Sequence, residues 1–332
     1  MADSKPIRVG IFAASSVVPG VEFDAGMEHL KRNGFEPVVA EQVSKQVFLF
    51  PGTDEERAEA IYNFAVDPTI PILWAARGGY GAGRLLPILE KLTKERGVPP
   101  KKLIIGYSDV TVLHEFARLR WKWNTLHAPM AAASNFSKLD PAEWESIVSF
   151  AKGKHVSAPW EKATLEWLTP PPKQTIRAEL IGGNLSLWTF LVGTPWAQKG
   201  KGKIIFLEDV DEKFYHVDRM SIQIEQAGGF DGAAAIVLGD FTNCKDESNT
   251  CLVSPHSDER KPLRKTFDLD DALKEIYGAV GRRTQVPIAR GLPVGHGPNF
   301  AALPLGATYE LTPTGRLKML NWEGLNAAMA IS

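Results

Sequence analysis

The sequence predicts an α/β protein with a doubly wound parallel sheet in its N-terminal half and a smaller, strand-rich C-terminal part. Short β-branched apolar runs alternate with helix-periodic segments up to about residue 150, which is the pattern of a parallel sheet with crossover helices. The runs show no regular polar alternation, as expected of strands buried on both faces. From residue 286 onward, frequent turn signals separate short apolar stretches.

The N-terminal half contains clear signals for where its elements start and stop. Thr53 and Glu56 form a capping box at the start of a helix, and Asp67-Pro68 ends this helix near Val66. Asp140-Pro141 opens another helix, with a cap and then a proline at the first position. The predicted strands cover residues 7–14, 35–40, 70–76 and 102–105, and the predicted helices cover 24–33, 53–66 and the segments after 108 and 140.

The periodicity fails between residues 152 and 177, where three consecutive prolines begin at Pro170. We interpret this segment as a linker between a domain of residues 1–151 and a C-terminal domain of residues 178–332. In the second domain we expect helices at 184–193 and 217–227, strands at 203–207 and 233–238, and a long polar loop at 240–264. A loop of that length is suspected of function.

The composition excludes several classes of protein. The chain has 332 residues, 44% of them hydrophobic, and its 38 Lys and Arg nearly balance its 39 Asp and Glu. This balance favours neither nucleic acid nor an anionic membrane as a partner. No apolar run is long enough to span a bilayer and no signal peptide is visible, so we expect a cytoplasmic protein. Its two cysteines fit a reducing compartment.

Gly106-Tyr107-Ser108-Asp109 marks a sharp turn between a strand and a helix. Such a turn lifts a serine hydroxyl clear of the sheet and leaves the next backbone N–H free at the start of the helix, as a nucleophile requires. The alternative is that Ser108 or Asp109 only caps the helix, a position that both residue types favour.

The loop from Arg77 to Arg84 is rich in glycine and carries two arginines. Its backbone N–H groups are candidates for binding an anion, either a phosphate or an oxyanion. The loop matches neither the dinucleotide fingerprint nor the P-loop, so a nucleotide phosphate is the second choice. A tight turn between strand and helix is an equally good explanation of the glycines.

Acidic residues and a histidine in the second half complete a possible catalytic set. Glu208 and Asp209 end an apolar strand, and the pattern does not decide between them or exclude a solvated acidic turn. His296 lies in a turn flanked by glycines, and His127 lies at a strand end near the expected site. A serine, an acid and a histidine are the components of a nucleophile–base–orienter triad. The segment Gly106 to Val110 lacks the second glycine of the α/β-hydrolase motif, which disfavours that fold.

Cys244, Cys251, His256 and Asp258 fall within the polar loop, but their spacing matches no zinc pattern. We therefore predict neither a metal site nor a cofactor.

These motifs together resemble the LD-carboxypeptidases, a family of serine peptidases that includes the microcin C self-immunity peptidases. The resemblance covers most of the chain in five ordered blocks. They are Arg77-Gly78-Gly79-Tyr80-Gly81, Gly106-Tyr107-Ser108-Asp109, Gly182-Gly183-Asn184-Leu185-Ser186, Phe206-Leu207-Glu208-Asp209-Val210-Asp211-Glu212 and Gly295-His296-Gly297.

The resemblance implies roles for individual residues. Ser108 is the implied nucleophile, His296 the general base and Glu208, rather than Asp209, the orienting acid. The backbone N–H groups of Gly79 and Asp109 form the implied oxyanion hole. Arg77, Gly78 and Tyr80 are the residues expected to contact substrate.

The family also implies a fold, an assembly and a substrate class. The implied fold is a Rossmann-like N-terminal domain with Ser108, a smaller C-terminal β-rich domain with Glu208 and His296, and a site between them, in a homodimer. The implied reaction releases D-alanine from a murein tetrapeptide during cell-wall recycling. Cleavage of an aminoacyl or peptidyl nucleotide amide is the second possibility, and a non-catalytic phosphate binder using the loop from Arg77 to Arg84 is a distant third. The turn Ala13-Ala14-Ser15-Ser16 departs from the family pattern and leaves the choice of substrate open.

Overall fold

The computed structural model describes residues 5–154, 156, 158–246, 251–252, 261–262, 267–298 and 301–322. The strands are β1 (Ile7–Phe12), β2 (Phe35–Val39), β3 (Ile72–Ala75), β4 (Leu103–Gly106), β5 (Thr125–His127), β6 (Glu166–Trp167), β7 (Ile176–Asn184), β8 (Ile204–Val210), β9 (Ala235–Thr242), β10 (Cys251–Leu252), β11 (Lys261–Pro262), β12 (Ile288–Arg290), β13 (Leu303–Leu305), β14 (Thr308–Leu311) and β15 (Leu317–Met319). The helices are α1 (Gly20–Arg32), α2 (Asp54–Val66), α3 (Leu86–Arg96), α4 (Thr111–Phe116), α5 (Pro141–Ala151), α6 (Leu185–Phe190), α7 (Phe214–Gln226) and α8 (Leu269–Thr284).

The first sheet has the strand order β13-β5-β4-β3-β1-β2. Strands β1 to β5 are parallel, and β13 pairs antiparallel with β5. Helices α1 and α5 pack on one face of this sheet, and α2, α3 and α4 pack on the other. The predicted α/β class with a doubly wound parallel sheet is therefore confirmed.

The second sheet has the order β15-β14-β7-β8-β9-β12-β6. Its four central strands, β7, β8, β9 and β12, run parallel, and antiparallel strands lie at both edges. Helices α6, α7 and α8 cover one face. The C-terminal part is thus rich in strands, as predicted, and its centre is a parallel sheet covered by helices.

The predicted helix starts are confirmed at α2 and α5, because both have a complete capping box. Thr53 Oγ1 accepts from Glu56 N–H, and the Glu56 carboxylate accepts from Thr53 N–H. Asp140 caps α5 in the same way. Helix α8, the longest in the described chain, lies in a part of the sequence for which we predict no element.

The two sheets share one hydrophobic core. A single cluster contains Val9 and Ile11 from the first sheet and Leu180, Phe206 and Val237 from the second. Residues 152–177, the predicted linker, supply β6 at the edge of the second sheet. In the same segment Trp160 is fully buried and donates to the Ala302 carbonyl at 2.9 Å. In the described part of the chain, no helix combines the length and apolar character needed to cross a membrane.

Candidate active site

The carboxyl ends of β1, β3 and β4 place three segments of the N-terminal half side by side. Residues Ser15 and Ser16 follow β1, the glycine loop follows β3, and Ser108 follows β4. Ligand sites in doubly wound sheets lie at this edge. Ser108 has a φ of 59°, in the left-handed region that few non-glycine residues adopt. This conformation turns the chain sharply from β4 into the 3₁₀ turn Ser108–Val110 that leads into α4.

The glycine loop packs directly against this serine. A Cβ on Gly78 would lie 3.3 Å from the Cβ of Ser108. Gly79 has a φ of +107°, and a Cβ there would lie 2.3 Å from Ser16 Oγ. That hydroxyl accepts the Tyr80 N–H at 3.3 Å, so Ser16 supports the loop from behind. The loop needs glycine both for its backbone conformation and for its close approach to neighbouring groups.

The Asp109 side chain ties the glycine loop to the serine turn. It is buried, and its Oδ2 accepts from Ser15 Oγ at 2.6 Å and from Ala82 N–H at 2.8 Å. Burial raises the pKa of this carboxyl group, although both hydrogen bonds oppose the shift. The carboxylate of Asp109 therefore has a structural function. The backbone N–H of the same residue has the separate function implied by the resemblance, since it lies at the start of a helical turn and has no intrahelical acceptor.

Glu208 and Asp209 point to opposite faces of β8. Ile204 and Phe206 pack in the core shared with the first sheet, whereas Ile205 and Leu207 pack under the helices of the second sheet. Because side chains alternate along a strand, Glu208 faces the first sheet.

Asp209, on the other face, is held at the start of α6. It accepts from Ser186 N–H at 2.9 Å and from Asn184 Nδ2 at 2.9 Å.

His296 lies on the segment that crosses from β12 in the second sheet to β13 in the first. Its Nδ1 is 2.6 Å from Glu208 Oε2, and its ring centroid is 4.7 Å from that of Tyr107, the residue before Ser108. This crossing brings the histidine from the C-terminal half to the serine turn of the N-terminal half.

Burial and the neighbouring charge have opposite effects on the pKa of each residue in this pair. Burial lowers the pKa of His296, but the hydrogen bond and negative charge of Glu208, together with the charges of Asp209 and Asp211, outweigh it, so the pKa is raised above 6.5. Burial raises the pKa of Glu208, which is fully buried, and the contact with His296 opposes that shift.

One pocket of about 510 Å³ joins residues from both halves of the chain. Its wall includes both Ser108 and His296, together with Arg77, Gly78 and Gly79. Glu208 and Asp109 are buried behind this wall. Tyr80 is 59% exposed, lies outside the lining, and contacts the ring of Phe50 instead. The remaining lining residues are Pro19, Glu22, Tyr107, Met130, Ala132, Ala133, Ser134, Asn135 and Gly297.

The two arginines of the glycine loop have different surroundings. Arg77 lines the pocket and donates to the Val17 carbonyl at 2.7 Å. Arg84 is paired with Asp54, with its Nε 2.9 Å from Oδ2 and its NH2 2.7 Å from the same oxygen. A phosphate site that needs both guanidinium groups would have to break this pair.

His127 is enclosed between the rings of Tyr107 and Phe206 and does not line the pocket. Burial lowers its pKa well below 6.5, which keeps the ring neutral.

Cys244 is buried, and burial raises the pKa of its thiol to about 12. His256 and Asp258 lie outside the described residues. Within the described ranges, no group of three or more His, Cys, Asp or Glu is placed to hold a metal ion.

Two supporting residues could not be assigned from the sequence pattern alone. We predict Asn184 only as a helix cap, but its side chain also donates to Asp209 at the end of β8. The only signal is its place in the Gly182-Gly183-Asn184 block. Asp240 is the other, and it lies where the pattern predicts the start of a loop rather than the end of β9.

Two family models match the chain in the order of its two halves. The LD-carboxypeptidase N-terminal domain matches residues 9–128, and the LD-carboxypeptidase C-terminal domain matches residues 177–311. The chain belongs to the LD-carboxypeptidase family. The predicted family is thereby confirmed, and with it the class of enzyme, a serine-type LD-carboxypeptidase that hydrolyses peptide bonds.

Similar proteins cover almost the whole length of this LD-carboxypeptidase. The murein tetrapeptide carboxypeptidase of Pseudomonas aeruginosa is 30% identical over 92% of both chains. The crystal structure of muramoyltetrapeptide carboxypeptidase from Oxalobacter formigenes is 27% identical, covers 94% of this chain and 97% of that chain, and has a TM-score of 0.70. The microcin C7 self-immunity protein MccF in complex with aspartyl sulfamoyl adenosine shares the fold, with 21% identity, 97% coverage of both chains and a TM-score of 0.72.

Proposed function

We propose that this enzyme cleaves an L,D amide bond next to a free carboxylate by acyl-enzyme chemistry with Ser108, His296 and Glu208. The observation that supports this most is the 2.6 Å contact of His296 with buried Glu208, on a ring that shares a pocket wall with Ser108. A nucleophile, a base and a group that orients the base are the components of such a triad.

In the proposed mechanism, His296 Nε2 takes the proton from Ser108 Oγ as the oxygen attacks the substrate carbonyl. Glu208 holds the imidazole with Nδ1 protonated and stabilises the imidazolium that forms. The N–H groups of Gly79 and Asp109 bind the oxyanion of the tetrahedral intermediate. The intermediate collapses to an ester on Ser108 as His296 returns the proton to the leaving amine, and water then hydrolyses the ester.

The substrate that we favour is a murein tetrapeptide, from which the enzyme releases the terminal D-alanine in cell-wall recycling. The similar protein of Pseudomonas aeruginosa is named for this substrate. Arg77, the cation among the pocket residues that lie beside Ser108, is our candidate for binding the terminal carboxylate, since a guanidinium group matches carboxylate geometry. Gly78 borders the same wall, and Tyr80, two residues further along the same loop, contacts Phe50 outside the pocket lining.

The experiment that tests the nucleophile compares wild type with Ser108→Ala on murein tetrapeptide. We expect the variant to lose at least about 10³-fold in kcat, because the acyl-enzyme is no longer formed. A serine-directed phosphonate should add covalently to wild type at Ser108, as mass spectrometry would detect. Ser149→Ala, on α5 outside the pocket, is the control. Equal turnover by Ser108→Ala would refute the proposed role, and the absence of both turnover and adduct in wild type would favour a non-catalytic binder.

The second candidate substrate is an aminoacyl or peptidyl nucleotide amide. This chain shares its fold with a protein whose structure contains aspartyl sulfamoyl adenosine, and that observation supports the second candidate. The same residues would act in the same roles. Turnover of an aminoacyl sulfamoyl adenosine without turnover of murein tetrapeptide would select it.

A cytoplasmic location and a homodimer complete the proposal. They derive from the cysteine content and from the family resemblance, respectively. Fractionation of cells and sedimentation of the purified protein are the measurements that check them.

A further inference from the structure

Asp240 lies at the carboxyl end of β9, next to the turn that carries His296. Its N–H donates to the Val294 carbonyl at 2.9 Å, and its carboxylate accepts the N–H of Gly297. The residue therefore holds the chain on both sides of His296 and forms no part of the pocket lining.

The β8–β9 register explains why Asp240 reaches this turn. Leu207 is opposite Leu238, whereas Asp209 is opposite Phe241, so that Gly239 and Asp240 together face the single residue between Leu207 and Asp209. This is a β-bulge, a device that redirects a side chain and is common beside active sites. The residue opposite the bulge is Glu208.

The turn is packed between these two carboxylates. A Cβ on Gly297 would lie 2.2 Å from Asp240 Oδ2. A Cβ on Gly295 would lie 3.1 Å from the Cβ of Asp240 and 3.0 Å from Glu208 Oε2. Only glycine on each side lets both acids approach the backbone of His296 so closely.

We propose that Asp240 is a positioning residue, which holds the turn of residues 295–297 so that His296 meets Glu208 and faces the pocket. This inference rests on the proposed function, because it assumes that His296 is the general base. Asp240 acts through the Gly297 backbone and touches no reacting atom.

The Asp240 charge also belongs to a set that surrounds the imidazole. Glu208 faces it from β8 and Asp240 from β9. Asp209, on the other face of β8, and Asp211, just after that strand, add negative charge, and the neutral groups Tyr107 and His127 lie on the side of the first sheet. Burial raises the pKa of Asp240, and the Gly297 N–H and the charge of His296 oppose this shift only in part. A negative Asp240 stabilises the protonated imidazole.

Two variants separate the hydrogen bond from the charge. Asp240→Asn keeps an oxygen that can accept from Gly297 N–H, and Asp240→Ala removes it. We expect Asp240→Ala to lose about 10- to 100-fold in kcat with little change in KM, since small misplacements of a catalytic group have effects of this size. Asp240→Asn should retain kcat within a factor of about three at a pH where the imidazole is neutral. Asp231→Ala, which removes an exposed carboxylate near the opposite end of β9, is the control.

The deciding readout is the NMR titration of the His296 ring. Both Asp240 variants should lower its pKa, Asp240→Asn by about half a unit to one unit through loss of charge. This titration needs no turnover, so it reports on Asp240 even if Ser108→Ala shows that the proposed function is wrong. An unchanged His296 pKa in both variants would overturn the inference, and so would wild-type kcat in Asp240→Ala. If Asp240→Ala does not fold, Asp240→Asn and its titration decide.

Discussion

Burial and the Glu208 carboxylate act in opposite directions on the charge of His296. Burial is the largest single influence, but the carboxylate acts together with the charges of Asp209 and Asp211, so the pKa of the imidazole lies above 6.5. A general base must be neutral to accept a proton, so kcat/KM should rise as the pH increases through this raised pKa.

Replacing Glu208 by Gln should move the acidic limb of the kcat/KM profile to lower pH. The carboxylate that stabilises the imidazolium most is then gone, and burial lowers the pKa of His296 against only the charges of the neighbouring aspartates. At the same time kcat should fall by roughly 10³- to 10⁴-fold, because the imidazole tautomer is no longer held. Steady-state kinetics between pH 5 and 9, with NMR titration of the ring, would measure both effects. Glu225→Gln, which removes an acid paired with Arg283 on the surface, is the control. An acidic limb of the kcat/KM profile that stays at the same pH in Glu208→Gln would contradict the role proposed for Glu208.

Gly79 offers a direct test of the oxyanion hole. In Gly79→Ala the new Cβ would meet Ser16 Oγ, and the positive φ would be strained, so the N–H should move from its position. We expect kcat to fall by about 10²- to 10³-fold, the usual effect of losing one oxyanion donor. Gly97→Ala is a matched control, because Gly97 has a φ of +99° and open space around it. Equal kcat in the two variants would mean that the Gly79 N–H binds no oxyanion.

At the scale of elements, local sequence signals predicted where helices begin better than they predicted how far helices and strands extend. The predicted capping box of α2 and the predicted cap of α5 are both present, because such caps depend on residues close together in sequence. Strand β9 extends beyond its apolar run to Thr242, since pairing with β8 continues through the bulge into polar residues. Helix α8 was not predicted, although Asp268 caps it and the apolar residues of its buried face recur at helical spacing.

The cap of α8 should contribute measurably to stability. Asp268 accepts the Asp271 N–H at 2.8 Å, and Asp268→Ala removes this hydrogen bond. We expect the free energy of unfolding to fall by about 1 kcal/mol, measured by urea denaturation. Glu275→Ala, an exposed position within the same helix, should change it by less than about 0.5 kcal/mol. Equal effects of the two substitutions would show that the cap contributes nothing specific.

At the scale of the whole molecule, β13 joins the two halves of the chain. It comes from the C-terminal part but completes the first sheet beside β5, and the main hydrophobic cluster contains residues of both sheets. A shared core of this kind favours cooperative unfolding of both halves.

Leu303→Ala tests this coupling. Leu303 is fully buried in β13, opposite His127, and its truncation should cost about 2–5 kcal/mol of unfolding free energy. Tryptophan fluorescence and far-UV circular dichroism should report one coincident transition in both wild type and variant. Leu320→Ala, at a position that is 42% exposed, is the control and should have a small effect. Two separate transitions in wild type would show that the halves unfold independently.

The sequence by itself determined the α/β class, the capped helices, the family and a short set of candidate residues, because these depend on local pattern and on ordered motifs. Its local pattern left Glu208 and Asp209 equivalent, since both end one apolar strand that is buried on both faces, and only the family resemblance favoured Glu208. The physical difference between them comes from the tertiary structure, which places the first sheet against the face of β8 that carries Glu208 and the helices against the face that carries Asp209. The contacts of His296 and Asp240 arise in the same way, from a chain crossing and a register shift between strands distant in sequence. Such contacts depend on how sheets pack together, which no local pattern of residues encodes.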